Sequence, residues 1–143
     1  MRRFLTESEE KTITEAIGLA EDKTSGEIRV HIETRCKPDP LDRALEVFYA
    51  LGMEKTRDKN GVLIYIATDD HKLAILGDEG INKVVPPNFW DAELELMKSH
   101  FKQGAFALGI AQAIHDVGEK LKAFFPFQTD DKDELSNDIS VGH

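Results

Sequence analysis

The chain has 143 residues, 41% of them hydrophobic, a length and composition that suit a single globular domain. Its 27 Asp and Glu residues outnumber its 18 Lys and Arg residues, and the net charge of −9 argues against a surface that binds nucleic acid. A cation, or a partner protein with a basic surface, fits this charge better.

Capping and alternation predict the first helix and the first strand. Residues 6–9 match a capping box, and apolar residues recur at helical spacing from Ile13 to Ala20. From Glu27 to Glu33 apolar and polar residues alternate, which predicts a half-buried strand. We expect His31 on the polar face of this strand, as a surface or hydrogen-bonded group.

The middle of the chain predicts a crossover helix followed by a hairpin. Asp39-Pro40 is typical of a helix start. The expected apolar stripe of this helix is Leu41, Ala44, Leu45, Phe48 and Leu51. Val62 to Ala67 is apolar on both faces, as in a central strand covered by helices on each side. The short turn at residues 68–71 then requires an antiparallel strand over Lys72 to Leu76.

Two further helices complete the predicted fold. One begins at Trp90 and is closed by Gly104, and the next runs from about Phe106 to Phe124. This order predicts a three-layer α/β/α sandwich with a mixed sheet, in which a βαβ crossover precedes an antiparallel hairpin and helices cover both faces. We expect one domain over residues 1–127 and an acidic, partly mobile tail over residues 128–143.

Targeting and anchoring signals are missing from the sequence. The N-terminus offers only two apolar residues before polar sequence resumes, and no apolar run approaches the ~20 residues that span a bilayer. The single cysteine, Cys36, permits no internal disulfide and has no identifiable catalytic base. We therefore expect a cytoplasmic monomer without membrane insertion.

Several short motifs together resemble the TPM-domain family. They are Thr24 to Ile28, Asp39-Pro40, Asn60 to Leu63, Gly77 to Ile81 and Phe89-Trp90, and the resemblance covers nearly the whole chain. The family includes thylakoid-lumen photosystem II repair proteins, a membrane receptor-modulating protein and short soluble bacterial members, which this sequence resembles most. Some members of the family are described as binding divalent cations and some as acid phosphatases, so the resemblance implies one of these two properties.

Carboxylates should gather at two ends of the predicted sheet. The amino-end pole would contain Glu27, Asp58, Asn60, Asp78 and Glu79. The carboxyl-end pole would contain Thr34, Arg35, Cys36, Asp69 and Asp70. Calcium and magnesium prefer carboxylate oxygens, so the predicted metal ligands are Glu27, Asp58, Asp78 and Glu79, with Asp69 and Asp70 as the alternative. The competing interpretation is that Asp69-Asp70 and Asp78-Glu79 simply form turns.

Three functions stay open from the sequence. The first is a non-catalytic module that binds calcium or magnesium and has a protein partner. The second is a slow metal-assisted acid phosphatase, which would need a metal-bound water because the chain has no CxxxxxR loop, histidine nucleophile motif or Asp-x-Asp pair. The third is a metal-independent protein-interaction domain.

Overall fold

A four-stranded sheet organises the residues that the structure, a computed structural model, describes, namely 4–127 and 139–142. The helices are α1 (Glu7–Glu21), α2 (Pro40–Ala50), α3 (Glu79–Asn82), α4 (Asp91–Lys102) and α5 (Phe106–Phe124). The strands are β1 (Glu27–Glu33), β2 (Gly61–Ala67), β3 (Lys72–Gly77) and β4 (Ser140–Val141). A short 3-10 turn, Met53–Lys55, follows α2.

The sheet has the strand order β3-β2-β1-β4. β1 and β2 are parallel, with Glu27 opposite Gly61, and α2 forms the crossover between them. β2 and β3 are antiparallel, with Val62 opposite Gly77. The structure therefore confirms the mixed sheet with a crossover followed by a hairpin.

Helices cover both faces of this sheet, which confirms the α/β/α sandwich. One face packs against α1, α4 and α5, and its buried strand residues include Ile28, Val30, Ile32, Val62, Ile64 and Ile66. The other face packs against α2, through Leu63, Tyr65, Ala67 and Ala74 on the strands and Ala44, Val47 and Phe48 on the helix. Each such large apolar side chain contributes about 1.5–3 kcal/mol when it leaves water, so the two clusters account for the stability of the layers.

β4 is a strand that the sequence pattern does not predict. It pairs in parallel with β1 at His31 and Ile32, and the Gly142 N–H donates to the Ile32 carbonyl at 2.8 Å. A Cβ on Gly142 would meet Glu33 Oε1 at 2.8 Å, so the close approach requires glycine. The strand lies in the segment predicted as an acidic tail, of which residues 128–138 and 143 lie outside the described part of the chain.

The prediction that β1 is half-buried was wrong. Its polar side chains are covered as well as its apolar ones, since Glu27 is 3% exposed, His31 6% and Glu33 4%. Arg43 of α2 covers Glu33, and Ser140 of β4 covers His31. β4 is distant in sequence and carries no strand signal of its own. Alternation therefore identified the strand correctly but not the environment of its polar face.

The predicted apolar stripe of α2 is also partly wrong. Asp39 caps the helix as expected, and its carboxylate accepts from the Leu41 N–H at 2.9 Å. The residues that α2 buries, however, are Ala44, Val47 and Phe48, whereas Leu41 and Leu45 are exposed. The helix contacts the sheet along one narrow line, and two members of the predicted stripe fall beside that line.

The C-terminal helices follow the prediction closely. α4 begins directly after Trp90, and the chain leaves it at Gly104, whose φ of 75° lies in the left-handed region that glycine adopts readily. α5 has the predicted bounds of Phe106 and Phe124. Among residues 4–127 and 139–142, no helix is long and apolar enough to cross a membrane.

Candidate functional site

The amino end of the sheet brings several of the predicted acidic residues to one place. The Glu27 N–H donates to the Asn60 carbonyl at 3.3 Å, and the Asp78 N–H donates to the Gly61 carbonyl at 2.9 Å. Because Glu27 and Gly61 are register partners, β1, β2 and the end of β3 meet here. Glu27, Asn60 and Asp78 of the amino-end pole therefore lie at the same end of the sheet.

The predicted ligands nevertheless have different environments. Glu27 is buried at the start of β1. The Asp58 carboxylate lies 3.5 Å from the Arg57 guanidinium, and its side chain is 40% exposed. Asp78 is half-buried and caps α3, while Glu79 is exposed in the first turn of that helix. Within residues 4–127 and 139–142, no three Asp, Glu, His or Cys side chains are grouped closely enough to hold a metal ion.

A cleft between α2 and α3 contains the strongest acidic feature at this end. Its volume is about 380 Å³, and its acidic wall is formed by Glu54, Asp78 and Glu79. We call it the α2–α3 cleft. Lys59 also lines it, and its ammonium donates to the Glu54 carbonyl. Three carboxylates thus face one ammonium, so the cleft is negative.

Two carboxylate oxygens in the α2–α3 cleft lack hydrogen-bond donors. Asp78 Oδ1 accepts from the Glu79 N–H at 2.7 Å, but Asp78 Oδ2 is shielded from solvent and has no partner within the described residues. Glu54 Oε2 is likewise shielded from solvent and has no hydrogen-bond partner within the described residues. A shielded carboxylate oxygen without a donor costs free energy, so these atoms favour any cation or donor that reaches them.

Sequence reasoning missed Glu54, and local patterns give little signal for it. Glu54 belongs to the 3-10 turn after α2, where Gly52 has a φ of 72° and reverses the chain. Glu54 lines the same cleft as Asp78, which comes from the far end of the hairpin. The pairing depends on tertiary contact, and the only sequence signal was the glycine that ends the helix.

Gly80 fixes the position of α3 beside the acidic residues. Its N–H donates to the Lys59 carbonyl at 2.9 Å, and an added Cβ would meet the carbonyl oxygens of Asp58 at 2.4 Å and Lys59 at 2.5 Å. These are backbone atoms, so they cannot rotate away. The residue therefore clamps α3 against the loop before β2.

We expect Gly80→Ala to lower the free energy of unfolding by about 2–3 kcal/mol, since relieving the clash must displace backbone. Urea denaturation of the variant measures this loss. Gly104→Ala is the control: its Cβ meets nothing within 4 Å, and only the left-handed φ of 75° opposes it, at a cost of about 1 kcal/mol. Equal losses of unfolding free energy in the two variants would contradict the claim that Gly80 must lie against the backbone of Asp58 and Lys59.

A second polar cluster lies at the carboxyl end of β1, around the Glu33 carboxylate. Arg43 donates to it from Nε at 2.8 Å and from Nη2 at 2.9 Å. The Tyr65 hydroxyl donates to the same group, and His31 Nε2 lies 3.1 Å from Glu33 Oε1. The Ser140 hydroxyl contacts His31 Nδ1 at 2.9 Å, which ties β4 to the cluster.

The pKa values in this cluster follow from burial and hydrogen bonding. Burial acts to raise the pKa of Glu33, but hydrogen bonds from Arg43, Tyr65 and His31 outweigh it and lower the value to about 2. Burial dominates at His31 and lowers its pKa, although Glu33 opposes this. Because ionised Glu33 only accepts, neutral His31 carries its proton on Nε2 and accepts from Ser140 at Nδ1.

The alternative metal ligands, Asp69 and Asp70, lie at this carboxyl end. Both are exposed, and Asp70 Oδ2 accepts from the Cys36 N–H at 2.7 Å. The Lys72 ammonium donates to the Cys36 carbonyl at 3.0 Å. Cys36 is buried, and its thiol contacts the Pro38 carbonyl at 3.2 Å. Asp70 therefore holds the backbone of the β1–α2 loop in a setting that already contains a cation.

Comparisons with known proteins add a family and two structural relatives. The chain is similar to the BA42 protein of the psychrophilic bacterium Bizionia argentinensis, whose NMR structure has a TM-score of 0.92, 48% identity, and coverage of 99% of this chain and 98% of that one. The NMR structure of the N-terminal domain of a P. gingivalis protein gives a TM-score of 0.69, 17% identity, and coverage of 85% and 79%. At that identity the likeness shows the fold alone.

The family model described as the TPM domain matches residues 1–120. No functionally curated protein matches the chain. The family match covers most of the sequence and agrees with the fold shared with BA42. The chain therefore belongs to the TPM domain family.

Proposed function

We propose that this TPM domain binds a divalent cation in the α2–α3 cleft. The observation that carries the proposal is the pair of shielded carboxylate oxygens, Asp78 Oδ2 and Glu54 Oε2, that have no donor within the described residues. A hard cation satisfies such oxygens directly. Of the predicted ligands, Asp78 keeps that role and Glu54 joins it, while Glu79 lines the cleft and adds negative charge.

The other two predicted residues have a supporting role in this proposal. Glu27 and Asp58 lie at the same end of the sheet but do not line the cleft. Their charges add to the negative potential that attracts a cation. The remaining ligands would be water molecules, which commonly complete sites of this kind.

Calcium suits the cleft better than magnesium. The three carboxylates come from two separate segments and are not assembled as a preformed cage. Calcium accepts variable geometry and six to eight oxygen ligands, whereas magnesium demands near-octahedral geometry and gives up its waters reluctantly. We therefore expect calcium to bind more tightly.

The alternative cation site at Asp69 and Asp70 has less support. The Asp70 carboxylate already accepts a backbone hydrogen bond, and the basic residues Arg35, Lys37 and Lys72 lie in the same region. A metal-assisted phosphatase is likewise a weaker proposal, because only the family resemblance supports it. The cytoplasmic location and the monomeric state stay predictions.

Calorimetric titration of metal-stripped protein with calcium chloride tests the proposal. We expect saturable binding that Asp78→Asn weakens at least about tenfold, equivalent to about 1.4 kcal/mol. Asparagine caps helices as well as aspartate does, so this variant should keep α3 folded. Asp69→Asn is the matched control and should bind calcium as the wild type does.

Two results would overturn this proposal. One is wild-type protein that takes up no calcium. The other is an unchanged affinity in Asp78→Asn together with a loss in Asp69→Asn, which would move the site to the carboxyl end. Turnover of a phosphate ester that chelator abolishes would instead support the phosphatase.

A further inference from the structure

α2 presents a line of apolar side chains to solvent. Leu41, Leu45 and Tyr49 are four residues apart, so they lie along one face of the helix. They are 52%, 45% and 58% exposed, while the neighbouring face of α2, with Ala44, Val47 and Phe48, is buried against the sheet. Single exposed leucines are ordinary, but a line of this spacing is typical of a helix that docks a partner.

This apolar line continues into the α2–α3 cleft. Leu45 and Tyr49 form one wall together with Phe48, and Leu76 of β3 also lines the cleft. The acidic side chains already described line the same cleft. The combined surface therefore has an apolar side and an acidic side next to each other.

Charge selects the kind of partner that fits. The carboxylates that line the cleft are Glu54, Asp78 and Glu79, against one lysine, Lys59. Asp42 is exposed on α2, and Glu46 lies 3.7 Å from Arg43 outside the cleft. Arg43 is held by Glu33 through two hydrogen bonds. A second copy of the chain would bring the same acids against this surface, and an anionic membrane would be repelled. Lysine or arginine side chains are attracted.

We propose that the apolar line of α2 and the α2–α3 cleft form a docking site for an amphipathic, basic helical segment of a partner protein. Apolar side chains of the segment pack on Leu41, Leu45 and Tyr49. Its lysine or arginine side chains reach the cleft carboxylates and supply the missing donors to Asp78 and Glu54. This inference goes beyond cation binding and does not depend on it.

A labelled synthetic helix of leucine and lysine, with leucine on one face, is the probe. Its fluorescence anisotropy is followed while metal-stripped full-length protein is added. We expect saturable binding that the double variant Leu45→Ser, Tyr49→Ser weakens at least about tenfold. The matched control is Leu19→Ser, Leu108→Ser, which removes two side chains that are 66% and 60% exposed on α1 and α5 and should bind as the wild type.

Three results would overturn the docking site: no binding by the wild type, equal binding by the Leu45→Ser, Tyr49→Ser variant, or equal binding of an isomeric peptide whose leucines are scattered around the helix. The last would show attraction by charge alone. A wild-type dimer that the same variant dissolves would assign the surface to a second copy instead. Leu41→Ser removes a member of the apolar line that lies outside the α2–α3 cleft. It should weaken peptide binding and leave calcium affinity unchanged, so this test and the cation test fail separately.

Discussion

Replacing Glu33 with alanine should lower the free energy of unfolding by about 3–4 kcal/mol, the largest loss we expect from any single substitution in the carboxyl-end cluster. The Glu33 side chain is 3% exposed and accepts from Arg43, Tyr65 and His31. Its removal leaves the Tyr65 hydroxyl and the His31 N–H buried without their acceptor. Urea denaturation followed by circular dichroism measures the change.

Glu46 provides a matched control on the same arginine. Its carboxylate lies 3.7 Å from Arg43 Nη1, but its side chain is 63% exposed. An exposed ion pair of this kind contributes about 0–1 kcal/mol, so Glu46→Ala should be nearly neutral. Similar losses in Glu33→Ala and Glu46→Ala would show that the buried network does not stabilise the fold.

Acid should destabilise the protein in two steps that this cluster explains. The pKa of His31 is lowered from its ordinary value of 6.5, so the unfolded chain takes up a proton there before the folded chain does. Stability is therefore full above pH 6.5 and falls as the pH drops toward the folded-state pKa. The pKa of Glu33 is lowered from 4.5 to about 2, so a second loss of stability occurs as the pH falls between those two values.

The Glu33 step amounts to at most about 3 kcal/mol, because one pKa unit corresponds to 1.36 kcal/mol. The variant Glu33→Gln separates the contribution of Glu33 to the pH dependence of stability from that of the other carboxylates. The stability difference between wild type and this variant should be constant well above pH 6.5, where His31 does not titrate, and should shrink as the pH falls from 4.5 toward 2. A difference that stays constant over this range would contradict the lowered pKa of Glu33.

The apolar pattern predicted the layers of the fold because each buried face follows a local period. Ile28, Val30 and Ile32 alternate along β1 and all enter the core, and the continuous apolar run of β2 is buried on both faces. The same patterns could not show what covers the polar face of β1. That cover comes from Arg43 and Ser140. Arg43 is placed by the way α2 crosses from β1 to β2, and Ser140 by the return of the chain to pair β4 with β1.

The candidate site was predictable only as a region. Parallel pairing of β1 with β2 placed Glu27 and Asp78 at one end of the sheet, which the sequence implied. The sequence could not show that Asp78 and Glu54 line the same cleft, since Glu54 belongs to a 3-10 turn distant from Asp78 in the chain. It also could not separate buried from exposed acids, because burial depends on the packing of α2.

Amide NMR titration of metal-stripped protein with calcium would locate the bound cation. We expect saturable shifts concentrated at Glu54, Asp78 and Glu79, which line the α2–α3 cleft, where Asp78 and Glu54 each have a carboxylate oxygen with no donor among the described residues. Magnesium should produce the same shifts at higher concentration. Diffuse shifts that never saturate, or saturable shifts confined to residues 68–71, would contradict cation binding in this cleft.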